Sequence, residues 1–401
     1  MPVVTRSQNA RIAAFPDPRR EQGNGDDEPQ RPLPTENVYT RESAFDAAGT
    51  PAEDPYIPPI YTIDLSRPPA ERYIELAEDF KPQLLGLTGL FTEVLESFGL
   101  GSHIKAIMTL ARLFLWRLHS NEQTEELRGI CKVTGIDMYL LVAFNTLLDL
   151  FMGCTSGGVR VKDGNSSKML HFRTLDWGMD ALRKVVVELE FVDRPHGEVI
   201  ARSITYAGFV GVLTAVSYIF ASPQTHKKPD LGSILQNLPS TSSTASYVIA
   251  SDGTTTTVFE KDRITAKTMC SSSFIVATNH DTLLEEPLAS GERQQLTETR
   301  PSYQPEVTGI EDLIAESIDR KACVTAEWQR AVARYQRRHP GTSEADVCVA
   351  QKEVVEWLEE YPITNECTHF ATVMDPKLGE FAWVRRYEDS AYTDEEEASQ
   401  D

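Results

Sequence analysis

The 401-residue chain reads as an α+β protein built of packed layers. Three observations predict this. Helical periodicity runs from about 66 to 152. Short strand-like pieces rich in Val, Ile and Thr follow between 159 and 278. Two more helices, near 309–337 and 342–360, precede a closing hairpin.

Residues 1–55 are polar, Pro-rich and aperiodic, and read as a disordered leader with too little apolar surface to offset ordering entropy. Order is expected to begin with a short strand at Pro58–Leu65. Ser66 and Pro68-Pro69 then start a helical region in which Tyr73, Leu76, Ala77 and Phe80 share one face. Helices are expected at about 103–119, 122–134 and 136–152. The last is apolar nearly all round and therefore buried. Asn145 inside it is expected to satisfy a neighbour's backbone. Strands are expected at 169–176, 185–193, 199–206, 209–216, 246–251, 255–260 and 272–278. Turn signals stand at Asp163-Gly164, His196-Gly197 and Asp252-Gly253. Residues 221–243 form an aperiodic Pro/Ser/Thr-rich interruption. Strands at 366–374 and 379–385 form the hairpin, and an acidic tail follows from 388 to 401.

Sixty acids against 39 bases give a formal charge of −21, which excludes nucleic-acid binding as a main function because phosphate tracking needs a basic footprint. Such a surface is repelled by anionic lipid, although a local basic or apolar patch can still make transient contact with a membrane surface. No run of eighteen apolar residues exists. Met1 to Gln30 shows no apolar signal core, so a cytoplasmic location is the default expectation. The six cysteines include no C-x-x-C pair, which argues against a zinc knuckle. Phosphate-loop, G-x-S-x-G and H-E-x-x-H motifs are absent.

The chemistry concentrates at Cys154, at the seam between the helical and strand-rich halves. Alone, such a cysteine is usually a small buried hydrophobe. Its neighbourhood argues otherwise. Gly153 leaves the preceding peptide bond open to attack by the cysteine's own sulfur. Cleavage there would make Cys154 an N-terminal residue carrying its own base, an α-amine with a reference pKa of about 7.7–8.0. Arg173 close by would favour thiolate, and Asp176 would hold or polarise the ammonium. Asn279, ending an apolar strand, offers a neutral donor for an oxyanion. Each has a plain alternative: an Arg and an Asp three apart usually form a structural ion pair, and Asn after a strand is usually a turn residue. His171 or His280 as base for Cys154 is a variant of the same nucleophile logic. Cys367-Thr368-His369 reads as core packing.

Together these pieces resemble the acid ceramidase and N-acylethanolamine-hydrolysing acid amidase family of N-terminal-nucleophile hydrolases, relatives of the bile salt hydrolases. The resemblance rests on Pro59–Leu65 with Pro68-Pro69 and Arg72, and on Gly129-Ile130, Val133–Ile136 and Phe144-Asn145. Its most specific parts are Cys154-Thr155-Ser156 and His171–Gly178, followed by Ala207–Thr214 and Thr278–Asp281. It implies an αββα sandwich that cleaves itself before Cys154. The parts would be a helical α-chain region, 56–153, and a β-chain hydrolase core, 154–387, which stay associated. By the same resemblance Cys154 is the nucleophile, Arg173 and Asp176 tune it, Asn279 helps form the oxyanion hole, and Arg293 supplies a further arginine. The implied reaction is hydrolysis of a lipid amide such as ceramide through a thioester, with no metal or cofactor. N-acylethanolamines and other N-acyl amides are the alternative substrates. Family members are usually lysosomal or secreted. The short, low-pattern stretch from Ala215 to Thr244 lacks an acidic motif and part of the acyl-pocket wall, which leaves an inactive lipid- or partner-binding relative as a further alternative.

Overall fold

A computed structural model describes residues 56–97, 99–151, 153–216, 231–284 and 310–388. The proposed leader, Arg293 and residues 389–401 of the acidic tail lie outside the described residues.

Four layers stack in the order helix, sheet, sheet, helix. The first holds α1 (Ile74–Asp79), α2 (Lys81–Gly86), α5 (Asn121–Thr134) and α6 (Met138–Phe151); α3 (Leu90–Ser97) and α4 (Ile104–Phe114) lie beside it. The second is a four-stranded sheet of β1 (Ile60–Asp64), β4 (Val186–Val192), β5 (Val199–Tyr206) and β6 (Thr214–Val216), with β1 parallel to β4. The third runs in the order β10 (Phe274–Ala277), β2 (Gly153–Asp163), β3 (Ser166–Asp176), β11 (Thr368–Asp375), β12 (Glu380–Arg386). The fourth holds α8 (Ile310–Arg338) and α9 (Gln351–Leu358). A small sheet of β7 (Ser246–Ser251), β8 (Thr256–Lys261) and β9 (Ala266–Ser271) covers one end of β2, so closely that a Cβ on Gly158 would stand 2.0 Å from Thr256 Oγ1. The remaining helix, α7, spans Leu231–Asn237.

Two apolar cores explain the layering. Leu76, Leu84, Leu127, Ile130 and Val142 from the helices pack with Leu189, Ile204 and Tyr206 of one sheet and Leu175 and Phe370 of the other. Beyond the five-stranded sheet, Val159, Phe172, Val276 and Ala371 meet Val324, Trp328, Ala331 and Val354. The expected face Tyr73, Leu76, Ala77 and Phe80 is buried. Asn145 donates from Nδ2 to the carbonyls of Leu141 and Gly208 and accepts from Val210 N–H, each at 2.9 Å. It thereby fastens α6 to the loop after β5.

Several expected boundaries move. The strand expected at 209–216 is regular only over Thr214–Val216, because Asn145 claims the backbone of Gly208 and Val210. The expected helix over 342–360 starts at Gln351, since Val349 bridges to Val161 as extended chain. Within the interruption expected over 221–243, α7 forms a short helix.

Arg72 closes the first turn region. It donates to the carbonyls of Leu65 and Arg67 and, at 2.9 Å, to Glu126 of α5. Burial pushes the Glu126 carboxyl up to about 7 from its ordinary 4.5, against the pull of Arg72. A raised folded pKa favours folding below the unfolded pKa and loses that contribution as pH rises through the folded value. Chemical denaturation should therefore show stability falling between about pH 4.5 and 7, by on the order of 3 kcal/mol at most. Glu126→Gln should flatten that window; an unchanged slope would show that Glu126 does not titrate there.

Candidate active site

The site is assembled by one hairpin. Gly164, with φ 58°, begins the two-residue turn between β2 and β3, the left-handed conformation such turns require. The turn fixes register over eleven residues. Cys154 consequently stands opposite Leu175, Ser156 opposite Arg173 and Gly153 opposite Asp176. A slip of one residue would send these side chains to the wrong faces.

Cys154 and Arg173 face the inter-sheet layer. Arg173 Nη2 donates to Cys154 Sγ at 3.2 Å, and Nη1 is anchored on the Leu213 carbonyl. A guanidinium at that distance is placed to face charge that develops on the sulfur during attack. Cys154 N–H, which stands for the α-amine that cleavage would free, donates to Asn279 Oδ1 at 2.7 Å. Asn279 follows β10, the neighbour of β2, and its own N–H donates to Ser317 Oγ at 2.7 Å.

Asp176 faces the α8 layer beneath the Gly153–Cys154 peptide, where a Cβ on Gly153 would lie 3.3 Å from the Asp176 Cβ. Thr368 Oγ1 donates to its Oδ1 at 2.7 Å, and Arg320 Nε lies 3.8 Å from its Oδ2. Burial raises the Asp176 pKa, while Arg320, Thr368, Thr174 and Arg173 oppose that rise. Arg320 Nη2 also donates to Asn279 Oδ1 at 3.0 Å. Asp176 is thus linked to the Cys154 nitrogen through Arg320 and Asn279, rather than gripping that nitrogen itself as the sequence suggested.

Four of the five residues singled out in the sequence therefore converge: Cys154, Arg173, Asp176 and Asn279. Arg320 was missed. It sits on the inward face of α8, four residues before Val324 and eight before Trp328, and is only 6% exposed. An arginine in phase with an apolar stripe was the available signal. The two histidines weighed as bases are engaged elsewhere. His171 Nε2 is 2.9 Å from Ser156 Oγ, and burial together with the Arg173 charge pulls its pKa down to about 3. His280 Nδ1 is 2.8 Å from Ser317 Oγ. Among the described residues no three His, Cys, Asp or Glu side chains gather as metal ligands.

Next to Asp176, Trp177 lines a small apolar cavity of about 40 Å³ with Leu90, Phe91, Leu140, Phe144 and Met179.

Comparison with known proteins gives three findings. Residues 56–118 match a family model described as the beta subunit of N-acylethanolamine-hydrolyzing acid amidase. Acid ceramidases from Heterocephalus glaber and Rattus norvegicus are each 28% identical over 188 residues, covering 43% of this chain and 46% of theirs. This chain thus matches less than half the length of those curated relatives. A solved Caenorhabditis elegans N-acylethanolamine-hydrolyzing acid amidase ortholog aligns at 19% identity and a TM-score of 0.36, covering 57% of this chain and 95% of that one. By sequence, the chain is similar to members of the acid ceramidase and N-acylethanolamine-hydrolysing acid amidase family.

Proposed function

We propose that the protein is a self-processing cysteine amidohydrolase that cleaves the amide bond of a lipid amide, with N-acylsphingosine as the first candidate substrate. The observation that carries this reading is the set of contacts around one peptide bond: Arg173 on the Cys154 sulfur, Asn279 on its nitrogen, and Asp176 with Arg320 against Gly153. In processing, the sulfur attacks the Gly153 carbonyl carbon, and the C–N bond breaks to leave a Gly153 thioester and a free Cys154 amine. Water hydrolyses that thioester to a Gly153 carboxylate and the thiol; the amine then becomes the resident base. In turnover, Cys154 attacks the acyl carbon, its amine passes the proton to the leaving amine, and water hydrolyses the thioester. Asn279 Nδ2 is the donor for the oxyanion, and Arg320 holds Asn279 and Asp176 in register.

The two chains, 56–153 and 154–387, would remain associated because helices of the first share a core with strands of the second. The apolar walls of the small cavity beside Trp177 suit contact with part of an acyl chain. Transient docking on a membrane surface is supported by Leu110, Leu113, Phe114 and Trp116 in and just after α4, which are 52–71% exposed.

The match of residues 56–118 favours N-acylethanolamines as the second reading of the substrate. The test is N-terminal sequencing of purified full-length protein held in mildly acidic buffer, followed by assay against ceramide and palmitoylethanolamide side by side. A fragment beginning at Cys154 is expected, with ceramide turned over faster. Reversed preference would support the ethanolamide reading, and an uncleaved, inactive chain would favour the inert relative.

A further inference from the structure

We propose that Tyr206 and His369 are positioning residues whose hydrogen bond across the sandwich holds the bulge that aims the Thr368 hydroxyl at Asp176. This rests on the reading of Asp176 as part of the reacting centre.

The argument begins with register. β11 pairs with β3 so that Phe370 is opposite Leu175, and regular antiparallel pairing would then put residue 369 opposite Asp176. Instead Thr368 holds that place, and His369 is the extra residue of a bulge. In an unbroken strand Thr368 and Phe370 would share a face. Phe370 packs into the inter-sheet core, so Thr368 would point away from Asp176. The bulge reverses it. Thr368 Oγ1 then donates to Asp176 Oδ1 at 2.7 Å while accepting Asn365 N–H at 2.9 Å.

The bulge drives an imidazole into the core, where it needs a polar partner. His369 is fully buried, and burial followed by the charge of Arg183 holds its pKa down to about 3, so the ring is neutral. Its Nδ1 lies 2.7 Å from the Tyr206 hydroxyl, with the rings edge to face at 5.8 Å. Nε2 makes no hydrogen bond of normal geometry, although the Trp177 backbone lies near enough to the ring to oppose the fall in its pKa. The tie to Tyr206 is therefore the ring's one well-formed hydrogen bond among the described residues.

Tyr206 is a fit anchor. It ends β5, is fully buried, and stands edge-on to Trp177 at 6.2 Å. The loop that follows it is pinned to α6 by Asn145. Phenylalanine would fill the same volume and remove only the hydroxyl, with its bond to His369 and its electrostatic influence on Asp176, whereas His369→Leu breaks the bond and leaves the hydroxyl in place.

The charged and titratable groups around Asp176 are Arg173 on its own strand, Arg320 from α8, Cys367 beside Thr368, and the Tyr206 phenol from β5. Thr368 opposes the rise in the Asp176 pKa, so losing its hydrogen bond raises that pKa further. The test is a carboxyl ¹³C NMR titration of Asp176 in the full chain carrying Cys154→Ala, which depends on neither processing nor turnover. Thr368→Val should raise the midpoint by about one pH unit. Tyr206→Phe should reproduce much of that shift, and the double variant should match Thr368→Val alone. His369→Leu should behave as Tyr206→Phe, whereas His369→Gln, which keeps an acceptor, should stay near the parent. An Asp176 midpoint unmoved by both Tyr206→Phe and His369→Leu, or shifts that add in the double variant, would overturn the proposal. Failure of the hydrolase reading would show separately, as a wild type that neither cleaves nor turns over substrate.

Discussion

Cys154→Ala is expected to leave the chain whole and to abolish amide hydrolysis, a loss on the order of 10⁴-fold or more, as for other variants lacking their nucleophile. The variant keeps the hairpin, its register and the Cys154 N–H bond to Asn279, since none of these involves the sulfur. Folding should therefore be nearly unaffected, with thermal midpoints close together. Cys154→Ser separates nucleophilicity from geometry. A hydroxyl is a much weaker nucleophile than a thiol, while the Arg173 contact to that atom can persist. Slow cleavage over hours is expected, where the wild type is complete. Gel electrophoresis and N-terminal sequencing read both variants. If the alanine variant still splits between Gly153 and Cys154, some other group attacks that bond and the mechanism is wrong.

What the sequence disclosed depended on where the physical constraint was local. Cys154, Arg173 and Asp176 come close because one tight turn joins the two strands that carry them, and its signal, Asp163-Gly164, was visible in the sequence. Asn279 was legible as the polar end of an apolar strand. The strand bearing the cysteine was harder to read. Gly153, Gly157 and Gly158 erase the alternation that marks β2 as a strand. Two of these glycines are imposed by neighbours in space, because a Cβ would stand 2.1 Å from the Ile275 carbonyl at Gly157 and 2.0 Å from Thr256 at Gly158. Such crowding comes from β10 and β8, over a hundred and nearly a hundred residues away. β9 was missed for the opposite reason: both of its faces are largely exposed, so no hydrophobic pattern reveals it. The bulge at His369 was also invisible, since a strand-like run implies unbroken alternation until a partner strand shows otherwise. Arg320 belongs to the same class. Its role lies in which two groups it meets, and both are distant in sequence.

Arg320→Ala should therefore have the second largest effect, reducing turnover on the order of 10²- to 10³-fold, comparable to losing a preorganised donor at an oxyanion site. The guanidinium serves two partners, the Asp176 carboxylate at 3.8 Å and Asn279 Oδ1 at 3.0 Å. Arg320→Lys keeps the charge but lacks the planar fork that spans both, so it should restore stability better than rate. Removing one partner of a buried pair leaves the other charge uncompensated, at a cost on the order of 3 kcal/mol. That cost depends on pH with a definite sign. Burial already raises the Asp176 pKa, and without Arg320 the folded value rises further above the unfolded one. A raised carboxyl pKa destabilises as pH climbs through it, so the gap in thermal midpoint between variant and wild type should narrow in acid and widen toward neutrality. Asp176→Asn added to Arg320→Ala should recover much of the stability and none of the activity. If the double variant is no more stable than Arg320→Ala at neutral pH, the uncompensated carboxylate is not what the arginine offsets. Its contribution would then lie in holding Asn279 alone.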